Sequence, residues 1–243
     1  MYCTIILVAA ETKDISSIKE EKAVKAAEAV KSTVKQVKAK TKAEPPKGMA
    51  KVKIDLPRPM FVGTPTSLKS ARLDPKLKRK KRPPFYAPTG VKNVALNKPV
   101  SSSDEEPVIG ELEMVTDGDK AGEDGSFVEL GFDKQYVQID LGKPYEIYGI
   151  LVWHYHSMAR VYRDVIIQIA DDEDFIENVR TVFNNDHDDS SGMGKGAGYE
   201  YVETYEGRLV PVKAEKAQYV RLYSNGNTAN DMNHYTEVEV YGK

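Results

Sequence analysis

From Val91 onward the chain breaks into short runs rich in Val, Ile and Tyr, separated by Gly, Asn and Asp, with no helix-length apolar period between them. That texture constrains the fold most. The runs predict strands near residues 94–100, 127–130, 136–141, 147–156, 161–170, 180–184, 199–204, 218–224 and 235–241. Strands so closely spaced point to an all-β, antiparallel jelly-roll sandwich. In "VIIQIA" Val165, Ile167 and Ile169 share one face, and in "YVRLYS" Val220 and Leu222 do the same, so both faces are expected in the core.

The first third reads differently. Residues 11–86 carry 21 Lys and Arg against 8 Asp and Glu, whereas residues 87–243 carry 14 against 29. The near-neutral total hides a basic arm on an acidic body. Residues 1–10, "MYCTIILVAA", resemble the latter part of a secretory signal peptide without its basic beginning, which favours an extracytoplasmic protein. Residues 11–43 read as a helical tether with a stripe of small apolar residues, and residues 44–88 hold nine of the thirteen prolines and read as a linker. Its Lys78 to Arg82 run suits an acidic partner, with nucleic acid not expected. No segment reaches the roughly 20 apolar residues of a transmembrane helix. Cys3 is the only cysteine, so no intrachain disulfide forms.

Ordered motifs carry a family resemblance over residues 93–242: "NVALNKPVSSS" at Asn93, "VTDGD" at Val115, "QYVQIDLGKPYEIYGILVW" at Gln135, "RVYRDVIIQIADDEDF" at Arg160, "AQYVRLYSNG" at Ala217 and "YTEVEVYG" at Tyr235. This part resembles discoidin-like domains, which include coagulation-factor C-type domains and galactose-binding-like carbohydrate-binding modules. The resemblance implies a sandwich with binding loops at one end, no catalysis, and a structural Ca²⁺. Asp117 and Asp119 of "DGD", with Glu237 from the last strand, would hold the ion. Asp124 lies in the same glycine-rich turn, whose carboxylates suit a hard cation; a solvated Asx turn is the alternative.

"WHYHSMARVYRD" places His154 and His156 two residues apart on a strand, a spacing that a metal-dependent jelly-roll enzyme could use. A guanidinium follows where such an enzyme needs a carboxylate, and two positive groups repel. The favoured reading is a glycan or glycoprotein ligand bound by His156, Arg160, Arg163, Asn184, Asn185 and His187, with Tyr155 or Tyr162 against the sugar ring. The plainer alternative pairs Arg160 with Asp186 or Asp188 in a solvated loop. A structural adhesion or assembly protein is the rival reading from another class.

Overall fold

The computed structural model describes residues 45–61, 68–70, 72–75 and 81–243. The expected signal-like run and helical tether lie outside these residues, as does most of the Lys78 to Arg82 run. No helix among the described residues is long and apolar enough to cross a membrane.

The body is the antiparallel jelly-roll sandwich that the alternation anticipates. Its strands are β1 (Met49–Lys51), β2 (Tyr86–Pro88), β3 (Lys92–Asn93), β4 (Val100–Ser102), β5 (Val128–Leu130), β6 (Gln135–Trp153), β7 (Ile166–Ala170), β8 (Arg180–Asn184), β9 (Arg208–Ser224), β10 (Asn233–Tyr235) and β11 (Glu237–Gly242). The largest sheet runs β3-β11-β6-β9-β7-β8, with β4 also on β6; β5 pairs with β10, and β1 with β2. Every one of these strand pairs is antiparallel.

Two long strands replace several short ones. The sequence suggests a break at Gly142 and Pro144, but β6 continues through it, and the register against β9 shifts between Asp140 and Tyr145. Gly142 takes φ +82° in this bulge, where a side chain is disfavoured, and Pro144 has no N–H to leave unpaired. Similarly, Pro211 masks the alternation of the N-terminal half of β9, where Val210 and Val212 are buried. Residues 199–204, expected as a strand, contribute only an isolated bridge from Glu200 to Leu73.

Inward residues of β6, β7, β9 and β11, among them Val137, Ile139, Ile167, Ile169, Val220, Leu222, Val238 and Val240, form one apolar cluster with Val128, Leu130 and Tyr235. Each fully buried aliphatic side chain contributes roughly 1.5–3 kcal/mol relative to exposure. A second cluster lies on another face. There Phe85 and Ala87 join Leu151, Trp153 and Tyr241, with Val52 and Ile54 packed against them. Within the expected linker, residues 48–61 and 81–88 lie along the sandwich as a strap and supply side chains that cover it. Val52 N–H donates to the Phe85 carbonyl at 2.9 Å, and Arg82 N–H donates to Glu206 Oε2 at 2.9 Å.

Candidate functional site

The β5–β10 register puts Glu129 opposite His234, and an isolated bridge puts Ile109 opposite Glu129 on the other side. Directly opposed residues share a face. Ile109, Glu129 and His234 therefore form a row leading from surface to interior. Phe127 precedes β5, Tyr155 follows β6, Arg160 comes from the next loop and Asn230 from the β9–β10 connection. With Glu129 and His234 they line a pocket of about 180 Å³.

The pocket has aromatic walls and several unpartnered polar atoms, while Asn230 Oδ1 accepts from Asn227 Nδ2 at 2.6 Å and from Met232 N–H at 3.2 Å. Phe127 meets Tyr155 edge-on at 4.9 Å and His234 at 5.8 Å between ring centres. The Arg160 guanidinium stacks 4.4 Å above the Tyr155 ring. Arg160 is only 5% exposed, and its Nε and Nη1 have no hydrogen-bond partner. His234 Nε2 donates to Glu129 Oε2 at 2.7 Å, while its buried Nδ1 has no partner. Burial, followed by the charges of Arg160 and His154, lowers the His234 pKa to about 3, so the ring is neutral. Burial raises the Glu129 pKa, against the pull of Arg160.

The surrounding loops are fastened. Val161 N–H donates to Thr228 Oγ1 at 3.0 Å, Thr228 N–H to the Val161 carbonyl at 3.0 Å, and Arg163 N–H to the Gly226 carbonyl at 3.0 Å. Glu203 N–H donates to the Arg160 carbonyl at 2.9 Å. Such fixing of both loops holds the pocket in shape without a ligand.

Of the ligand residues expected from sequence, Arg160 and Tyr155 line this pocket. His156 is fully buried, and its Nε2 donates to the Lys120 carbonyl at 2.8 Å. It braces the acidic turn instead of facing a ligand: Gly122, at φ +67°, lies so close to the imidazole that an added Cβ would fall 2.9 Å from Nε2. Arg163 is exposed and points toward Asp231 at 3.5 Å. Asn184 donates to the Gly194 carbonyl at 2.9 Å, and buried Asn185 accepts from Val165 N–H at 2.7 Å. His187 Nε2 lies 3.9 Å from Asp188 Oδ2. Arg160 does not pair with Asp186, whose oxygens accept the backbone N–H groups of Asp188, Asp189, Ser190 and Ser191.

The two strand-end histidines serve different partners. His154 Nδ1 meets Glu203 Oε1 at 2.6 Å, both groups buried, and its ring stacks on Tyr162 at 4.3 Å. Tyr162 is thus interior, and Tyr155 is the aromatic at the pocket. With His156 turned to the Lys120 carbonyl, the pair does not converge on one ion.

The expected calcium ligands divide. Glu237 is fully buried; its Oε2 accepts from Gly118 N–H at 3.0 Å and its Oε1 has no partner. Burial first, with the charges of Glu239 and Asp117 adding to it, raises its pKa to about 9. An unpartnered hard oxygen beside Asp117 fits a Ca²⁺ site. Asp119 fits less well, because Oδ1 accepts from Ala121 N–H at 2.9 Å and Oδ2 from Ser126 Oγ at 2.8 Å. Asp124 is exposed and enters none of these hydrogen bonds. A further carboxylate group, Asp164, Asp186 and Asp188, brings ligand atoms within 4.8 Å of one another. Its oxygens already accept protein donors, including Ser190 Oγ and Asn225 Nδ2 on Asp164, both at 2.8 Å.

No family model matches the chain, and no curated protein does. Solved structures similar to it include the CBM32 of AlyQ in complex with 4,5-unsaturated mannuronic acid, at 21% identity and TM-score 0.42, over 58% of this chain and 92% of that one. A Streptococcus pneumoniae fucose binding module, SpX-3, is similar at 20% identity and TM-score 0.44, over 62% and 97% of the two chains. A family 89 glycoside hydrolase from Clostridium perfringens is similar at 20% identity and TM-score 0.46, over 62% of this chain; the match spans only 14% of the hydrolase.

Proposed function

We propose that this chain is a non-catalytic glycan-binding protein that takes one sugar residue into the Arg160 pocket. The observation that carries this reading is a nine-tenths-buried guanidinium with unpartnered nitrogens, stacked on Tyr155 in a pocket shared with Glu129 and Asn230. Sugar hydroxyls both donate and accept, so a donor-rich Arg beside an acceptor carboxylate and an amide can bridge neighbouring hydroxyls. The Phe127 and Tyr155 rings offer apolar surface to the C–H face of the sugar ring. A pocket of about 180 Å³ suits one ring, with the rest of the chain of sugars outside.

Ca²⁺ belongs to the same reading as a structural ion held through Glu237 and the Asp117 turn. It would replace the proton on Glu237 and stiffen the turn that His156 braces. A glycan partner implies an extracytoplasmic station. The test is a glycan array probed with the full chain and with Arg160→Ala. Retention of a glycan signal by wild type and its loss in the folded variant supports the reading; equal signals from both remove Arg160 from the site.

A further inference from the structure

We propose that the pocket selects uncharged sugars, and that Glu129 is the residue that rejects acidic ones. The inference rests on the glycan reading and adds the ligand's charge class. An isolated buried arginine would suggest the opposite, a receptor for carboxylate or sulfate. Glu129 reverses that expectation. Among the pocket's lining residues Arg160 and Glu129 carry the only formal charges, since His234 is held neutral, and these two already balance.

Glu129 cannot readily leave. Its Oε2 accepts from His234 Nε2 at 2.7 Å, and its backbone is held between Ile109 and His234. Its side chain keeps 15% exposure, so it borders the space that a ligand enters. In a cavity of about 180 Å³, an anionic group drawn to Arg160 stands within a sugar ring's breadth of this carboxylate. Like charges so close in a partly dehydrated site repel strongly. A neutral sugar meets no such penalty: one hydroxyl donates to Glu129 while its neighbour accepts from Arg160. The wider field acts in the same direction, because residues 87–243 carry 29 acidic against 14 basic side chains.

The experiment titrates the full chain with paired methyl glycosides and methyl glycuronides of galacto, gluco and manno configuration, followed by NMR at pH 8. Neutral members should bind at least about tenfold more tightly than their uronides, and Glu129→Gln should bring the pair within about threefold. If that variant does not fold, Ile109→Glu, which adds a carboxylate at the exposed end of the same row, should widen the gap in its place. Uronides that bind wild type as well as or better than neutral sugars overturn the inference alone, as does a gap that neither variant changes. Binding by none of these glycosides to the folded chain overturns the glycan reading and this inference with it.

Discussion

The loop at residues 183–196 and the pocket around Arg160 are both dense in polar side chains, yet they use them in opposite ways. In the loop, Asp186 accepts four backbone N–H groups and Ser191 Oγ, Asn184 closes onto Gly194, and Asp189 accepts from Gly194 N–H. In the pocket, Arg160 and His234 hold buried nitrogens that nothing satisfies. Polar composition marks both regions. Unmet hydrogen-bonding capacity occurs in both, since Asn185 Nδ2 and His187 Nδ1 of the loop also lack partners, but only in the pocket does it sit against aromatic walls, where a ligand can recover the free energy that a buried donor without a partner costs.

Substitutions should separate the two. Asp186→Ala has the largest expected effect, since it strands several buried donors at once; denaturant unfolding should show a loss on the order of 3–5 kcal/mol. The fraction still folded should bind glycan with unchanged affinity. Hydrogen bonds from Ser191 and the backbone outweigh burial and hold the Asp186 pKa below the usual carboxylate range, so its contribution is present above that range and lost as acid protonates it. Arg160→Ala should do the reverse, weakening binding by about 1.5–3 kcal/mol while stability changes by about 1 kcal/mol or less, as calorimetry can measure. A variant that loses both together would erase the contrast between the regions.

Glu237 extends the comparison to a buried oxygen without a partner. Its pKa stands at about 9 in the metal-free fold against 4.5 ordinarily, so the folded chain keeps a proton that the unfolded chain releases between those values. This group's contribution is therefore full below about pH 4.5 and lost as pH rises toward 9. In the proposed site calcium would displace that proton. Melting in Ca²⁺ at about a hundredfold excess over Kd should rise by about 5–10 °C at pH 8 and by less at pH 5, with Glu237→Gln abolishing the rise. Smallest of all should be Arg163→Ala, whose exposed contact to Asp231 is 3.5 Å; melt and binding should stay within about 0.5 kcal/mol of wild type.

The sandwich was legible because alternation in "VIIQIA" and "YVRLYS" directly encodes a buried face. The strap was not. Val52, Ile54 and Phe85 sit among prolines and lysines with no sustained period, and their purpose emerges only against Trp153 and Tyr241. Arg160 stood out as the cation following the strand that ends in Trp153. Glu129 and His234 could not, because they are 105 residues apart and meet only through the β5–β10 register. His156 misled for the complementary reason: a polar residue at the end of a predicted strand reads as exposed, whereas here the acidic turn folds over it and its Nε2 donates to the Lys120 carbonyl.

The central claim is that the site lies where unpartnered polar groups meet aromatic walls, and mapping amide shifts of the isotopically labelled full chain against its array-selected glycan tests it most directly. The account predicts that saturable changes centre on Phe127, Glu129, Tyr155, Arg160, Asn230 and His234, leaving residues 183–196 unmoved. Changes centred on residues 183–196, with the Arg160 pocket silent, would contradict it.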